Sequence, residues 1–274
     1  MAMLTVNAAG PEITALQNRL RQRGFDPGPS DGAFGPATRS AVMAFQRNQG
    51  LVADGVVGPR TAAALGLIAP ADVPSALPGV TLHIVSQMFP VTPVGNIRRN
   101  LPIVLDALIA PQLTGKSMVL MALATIRAET ESFEPISESP SRFNTSPGGL
   151  PFDLYDHRKD LGNTGYPDGA RFCGRGFVQL TGRANYQVHG AAIGLGDQLI
   201  DNPELANDPQ IAARLLASFL KARELAIRRA LLDGELKTAR RLVNGGTTGL
   251  DRFQDAYRIG ARLIPDPAPQ SAAA

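Results

Sequence analysis

Asp31-Gly-Ala-Phe-Gly-Pro-Ala-Thr38 returns 23 residues later as Asp54-Gly-Val-Val-Gly-Pro-Arg-Thr61. In each copy Asp-Gly is a turn and the second Gly permits a tight entry. Pro36 and Pro59 suit the first position of a helix, where a missing N–H costs nothing. Each copy therefore reads as a turn followed by a helix, with Val42 and Phe45 facing inward from the first and Ala62 and Leu65 from the second. Upstream, Ile13, Leu16 and Leu20 recur at helical spacing and predict a short amphipathic helix ending near Gly24. Residues 1–66 are thus expected to form a small three-helix bundle.

Beyond the repeats, residues 67–80 carry Pro70, Pro74 and Pro78 among Ala and Ser and read as a linker. Residues 81–264 read as a larger, mainly α domain. Leu101–Leu108 suggests one helix, and Ser117 to Ser132 is apolar nearly all round at its start, which predicts a buried helix. Asp208-Pro209 caps another, with Ile211, Leu215 and Phe219 toward the core, and Glu235–Val243 is shorter. The tail, residues 265–274, is Pro/Ala-rich and expected to be disordered.

Composition narrows the function classes. The 274 residues are 44% apolar and 19% charged, a globular rather than a disordered balance. A net charge of +3 suits an anionic polymer but is too weak to argue for nucleic acid. The single cysteine, Cys173, allows no intramolecular disulfide, as expected of a chain folded in a reducing cytoplasm. Met1–Gly10 has neither a basic n-region nor a long apolar run, so no signal peptide is expected. No stretch reaches the roughly 18 consecutive apolar residues of a membrane span, so no membrane partner is expected. His83, His157 and His189 are too dispersed for a zinc site.

The run Met118-Val-Leu-Met-Ala-Leu-Ala-Thr-Ile-Arg-Ala-Glu129 ends a helix built for burial on a carboxylate. Loss of hydration favours the protonated form of such a group, and a general acid working near neutral pH needs that. The alternative is a plain ion pair with Arg127 or Arg252. A second carboxylate must face the first. Glu131 points about 200° away on a helix, and Glu134 is driven out of helical conformation by Pro135. Glu138 follows that break, on a segment free to turn back toward Glu129, and is the candidate partner. Gln179 and Thr181 alternate along a segment read as extended and so share one face.

Around the octapeptides, Leu16-Gln17, Leu20, Gly24-Phe25 and Ala44-Phe45-Gln46 ahead of Gly50-Leu51 complete a pattern that resembles the peptidoglycan-binding domain family. That resemblance implies a wall-binding module with bacterial peptidoglycan as partner and a ligand groove near the repeat turns, its lining residues unspecified. In the larger domain, Ala124-Thr-Ile-Arg-Ala-Glu129-Thr-Glu-Ser-Phe133 resembles the acid-bearing segment of glycoside hydrolase family 19, the chitinase and phage endolysin group. Gly174-Arg-Gly-Phe-Val-Gln-Leu-Thr-Gly-Arg-Ala-Asn-Tyr186 is similar to that family's most recognisable motif, and Asn244-Gly-Gly246 with Gly249-Leu-Asp-Arg252 to its C-terminal substrate-binding segment.

The second resemblance implies a lysozyme-like, predominantly helical catalytic domain that hydrolyses the glycan backbone of peptidoglycan as a monomer, with no metal and no cofactor. It implies that Glu129 protonates the leaving oxygen, Glu138 activates water and Thr181 helps to hold that water. Gln179, Asn185 and Asn244 would bind sugar hydroxyl and acetamido groups, and Arg252 would lie near the carboxylates and tune their charge. An inverting hydrolase of this kind needs its carboxyl groups about 6.5–9.5 Å apart. A phage-type enzyme would be made in the host cytoplasm and reach the periplasmic wall after holin-type release.

The chain departs from the family where Ala128 precedes Glu129 in place of the usual His, and the partner of the acid is a Glu in some members and an Asp in others. The insert Phe152–Phe172 adds Asp156 and Asp168 as rival candidates for supporting roles, and the absence of Trp leaves sugar stacking to Tyr or Phe. Two other functions fit less well: a chitinase with a borrowed wall-binding module, and a wall binder whose enzyme domain has decayed. A Cys173 nucleophile with His157 or His189 as base is the weaker chemical alternative.

Overall fold

The computed structural model describes residues 3–246 and 248–267, apart from the side chain of Asn244. Two units are resolved, parting between Ser75 and Ala76.

In the first unit, α1 (Pro11–Gln22), α2 (Pro36–Asn48) and α3 (Pro59–Leu65) each begin on proline, as the repeats predict. Ile13, Leu16, Leu20, Val42, Phe45, Ala62 and Leu65 form the core with Leu4, Phe34 and Val57. The octapeptides are fixed by one device used twice. Gln17 Nε2 donates to Asp31 Oδ1, the Ala33 carbonyl and Thr38 Oγ1, while Gln17 Oε1 accepts from Gly32 N at 3.0 Å. Gln46 repeats this with Asp54, Val56, Thr61 and Gly55. Both glutamines are wholly buried, so each amide must find its partners inside the module.

The second unit is built around α6 (Lys116–Glu129). From Met118 to Ala128 every residue is buried, so this helix runs through the core with neighbours on all sides. Before it come α4 (Leu82–Met88) and α5 (Val94–Ala107). After it follow β1 (Ile136–Ser137), α7 (Asp168–Arg171), β2 (Arg175–Gly176), α8 (Arg183–Ala192) and α9 (Gln198–Asp201). The chain closes with α10 (Pro209–Ala222), α11 (Glu224–Leu232), α12 (Leu236–Asn244) and α13 (Leu250–Leu263). The architecture is mainly α, with a two-stranded antiparallel β1–β2 sheet among the described residues. α13 packs along α6 at close range, because Gly260 has no side chain: an added methyl would lie 2.5 Å from Leu120 and 2.8 Å from Met88.

The expected linker, residues 67–80, contains the boundary between the two units, and both its ends are packed. Leu67 and Ile68 pack on the first core, while Ala76 and Val80 are buried in the second and the Ala76 N–H donates to the Thr114 carbonyl. Helix α5 begins seven residues before Leu101 and carries Pro102 inside it. The cap at Asp208 is as read, its carboxylate accepting from Gln210 N and Ile211 N at 3.0 Å. Of the tail expected to be disordered, residues 268–274 lie outside the described residues.

Candidate active site

Glu129 is the last residue of α6, and its side chain is 14% exposed. Burial pushes its carboxyl above the ordinary value, and the Arg240 guanidinium, then Arg252, pull it part of the way back. Arg240 Nη1 donates to Glu129 Oε1 at 2.7 Å and Nη2 to the Thr248 carbonyl at 2.9 Å. Arg240 is itself wholly buried, and its Nε has no partner among the described residues. Arg127 and Arg252, the partners considered from the sequence, instead both bind Glu131, at 2.5 and 2.7 Å. Arg252 Nη2 also lies 3.4 Å from the Ala128 carbonyl, and its charge lowers the Glu129 pKa, as expected of a residue near the carboxylates. Arg240 escapes the sequence reading. It lies four residues after Leu236 and three before Val243, on the buried stripe of α12, where an arginine can persist only against an acid.

Between the two candidate carboxylates the chain takes a strained path. Glu131 and Phe133 sit at φ 50° and 57°, the left-handed region that costs a non-glycine residue about 1–3 kcal/mol. Three donors hold it there: Thr92 Oγ1 to the Glu131 carbonyl, Asn96 to Ser132 and Asn100 to Phe133, the last two at 3.0 and 2.8 Å. The Phe133 ring is buried edge-on between Phe89 and Phe177. Glu134, just before Pro135, is drawn away to Arg99 and Asn100.

Glu138 immediately follows β1 and is tied to Gly174 twice. Its backbone N–H donates to the Gly174 carbonyl at 2.8 Å, and its Oε1 accepts from Gly174 N at 2.5 Å. Oε2 accepts from Asn144 Nδ2 and from the Tyr155 hydroxyl, both at 3.3 Å. Neither Asn144 nor Tyr155 is marked by the sequence. Tyr155 belongs to the Phe152–Phe172 insert, which Asp156 and Asp168 organise: Asp156 accepts from Gly169 N, and Asp168 binds Arg183 and Thr164.

The glycine-rich motif delivers Gln179 and Thr181 to the same place, but not as an extended strand. Residues 175–180 close a tight hairpin in which Arg175 and Leu180 exchange both backbone hydrogen bonds and Gln179 takes φ 50°. Gln179 Nε2 is spent on the Ile136 and Gly176 carbonyls. Gly174 is where the motif converges on Glu138: a methyl added there would lie 3.0 Å from Gln179 Oε1, 3.2 Å from Glu138 Oε1 and 3.2 Å from Thr181 Oγ1. Asn185 donates to the Thr181 carbonyl at 2.7 Å and so fixes the loop at the start of α8. Asn244 ends α12, and its side chain lies outside the described residues.

The motif's other polar residues are structural. Arg175 binds Glu204 and the buried Tyr186 hydroxyl, which itself donates to the Cys173 carbonyl. The Cys173 thiol is buried and pushed above its ordinary value, the opposite of an activated nucleophile. His189 bonds Ser218, and burial pushes its pKa down to about 4.

Residues 9–65 match the family described as "Putative peptidoglycan binding domain". The chain is 48% identical over 52 residues to the N-acetylmuramoyl-L-alanine amidase CwlM of Mycobacterium tuberculosis, which is 19% of this chain and 13% of that protein. It is 49% identical over 50 residues to an acidic endochitinase of Solanum chilense, 18% of this chain and 20% of that one. The matches thus span less than a quarter of either relative. Among solved structures, chitinase C of Streptomyces griseus aligns at 20% identity and TM-score 0.49, over 70% of this chain and 79% of that one.

Proposed function

We propose that the chain is a cell-wall hydrolase whose first unit binds peptidoglycan and whose second cleaves the β-1,4 glycan backbone with two carboxyl groups. The observation that carries the reading is the contrast between Glu129 and Glu138. Glu129 ends a buried helix and has its pKa raised, which suits a proton donor. Glu138 is aimed by Gly174 N, Asn144 and Tyr155, with Thr181 beside it, which suits a base that orients water.

In this mechanism Glu129 gives its proton to the leaving glycosidic oxygen while Glu138 takes one from the attacking water, and Thr181 helps to hold that water. Single displacement inverts the anomeric centre and needs no covalent intermediate. Arg240 orients Glu129, and Gln179 shapes the floor beside Glu138.

The bond class is tested on purified peptidoglycan by following reducing ends and free amino groups together. A glycosidase releases reducing ends only. Release of amino groups instead makes the protein an amidase or peptidase and ends this reading.

A further inference from the structure

The two halves of the first unit are built on the same lock but differ beside it. Counting back from Gln17 and Gln46, Thr14 corresponds to Met43 and Gly10 to Arg39. The contacts agree with that register. A methyl added at Gly32 would meet Thr14 Oγ1 at 2.9 Å and the Gly10 carbonyl at 3.3 Å, whereas one added at Gly55 would meet Arg39 at 2.8 Å and Met43 at 3.2 Å. In the second half these long side chains fill the space over the Asp54-Gly55 turn, and the Arg39 guanidinium donates to the Asp54 carbonyl at 3.3 Å. In the first half the same space is an open groove of about 680 Å³, lined by Ala9, Gly10, Thr14, Ala15, Asn18 and Asp31.

The filled half shows what the open one would accept, namely an aliphatic stem ending in a positive charge. The lining agrees. Asp31 Oδ1 is taken by Gln17 and Ala33 N, which leaves Oδ2 without a protein donor among the described residues. Gln17, then the Ala33 N–H, hold its carboxyl below the ordinary value, so it is ionised at neutral pH. Asn18 and the Thr14 hydroxyl add polar atoms, and Ala9 and Ala15 offer apolar sides for a methylene chain.

We propose that the groove beside Asp31 is the module's ligand site, and that it takes the free side-chain amine of a diamino acid in a peptidoglycan stem peptide. The inference rests on the wall-binding part of the function proposed above. The ammonium lies against Asp31 Oδ2, whereas the Arg39 guanidinium over the second turn is held by the Asp54 carbonyl, and the stem runs past Ala15 and Thr14.

The test is sedimentation of the full chain with purified sacculi in the cold, comparing wild type with Thr14→Met, Asn18→Arg and Arg39→Ala, each checked for a native melting curve. Thr14→Met and Asn18→Arg copy the closed half, in which Met43 and Arg47 stand at these positions. Each weakens binding by about tenfold or more, while Arg39→Ala binds as wild type does. Acetylating the amines of the sacculi weakens wild-type binding to the same degree. Asn18 is exposed, so its variant decides the matter if Thr14→Met fails to fold. If wild type binds and both groove variants bind equally well, the site is wrong while the wall-binding reading stands. Undiminished binding to acetylated sacculi, or to peptide-free glycan, overturns the amine as ligand. If wild type does not bind sacculi at all, both readings fall together.

Discussion

Arg240, with no exposed surface, donates through Nη1 to Oε1 of Glu129 at 2.7 Å. The pair couples the end of α6 to α12 and, through Nη2 and the Thr248 carbonyl, to the loop ahead of α13. Burial and ion pairing pull the Glu129 pKa in opposite directions, and burial prevails. A carboxyl in that position is kept protonated further into the neutral range than an exposed one, yet remains oriented by a cation.

Arg240→Met removes the attraction that opposes burial, so the Glu129 pKa rises further. Because the acid is active when protonated, the alkaline limb of the kcat/KM profile moves to higher pH. Loss of orientation lowers kcat by about tenfold or more, each factor of ten being about 1.4 kcal/mol of barrier. Arg240→Lys keeps the charge and moves the limb less. A pH–rate profile of the three proteins checks this, and an unmoved alkaline limb in Arg240→Met means that Arg240 does not govern the acid.

Gly174→Ala puts a methyl between Glu138, Gln179 and Thr181, at 3.0–3.2 Å from an oxygen of each. These are side-chain ends that can shift, so the melting temperature changes little. Glu138 and its neighbours give way by less than about 1 Å, and on the proposed mechanism kcat falls by about tenfold, short of the roughly hundredfold cost of a full 1 Å misplacement. Kinetics and calorimetry on one preparation check the split between activity and stability.

Asp168 is buried against Arg183, whose hydrogen bond is the main reason its pKa falls from 3.8 to about 2. A folded-state pKa below the unfolded one means stability that is present above about pH 4 and lost as pH falls through 2. Asp168→Asn is therefore less stable than wild type at pH 7, by about 2 kcal/mol, since each tenfold change in acidity between folded and unfolded chain is worth about 1.4 kcal/mol. The gap closes between pH 4 and pH 2. Denaturant titrations at pH 7, 4 and 2 follow it.

Gln17→Leu and Gln46→Leu each strand a glycine N–H and remove the amide donor to a buried threonine hydroxyl, Thr38 keeping its own bond to the Pro27 carbonyl. Each destabilises the first unit by about 2–4 kcal/mol, and the two losses are alike within about 1 kcal/mol. Equilibrium unfolding of the two variants checks this. Widely different losses would show that the repeated lock is not a repeated energetic unit.

Much of the architecture is legible because it is written in local terms. The Asp-Gly and Gly-Pro steps at 31–36 and 54–59 mark turn and helix start, and the unbroken apolar run after Ser117 admits only a buried helix. What escapes depends on contacts distant in sequence. Arg240 meets Glu129 across 111 residues, and Tyr155 meets Glu138 from within an insert that carries no periodic pattern. The hairpin at 175–180 reads as a strand because a period of two cannot distinguish an extended chain from a turn that takes Gln179 to positive φ. The prolines of 67–80 mark the stretch that holds the boundary between the units, but a proline count says nothing of burial, and Ala76 and Val80 are buried.

The most direct test is turnover of purified peptidoglycan by wild type, Glu129→Gln and Glu138→Gln, read as reducing ends released per enzyme under identical conditions. The two-carboxylate account predicts that each variant, folded and still wall-bound, loses about a thousandfold or more of kcat. Wild-type turnover by Glu129→Gln would contradict it and place the chemistry elsewhere in the chain.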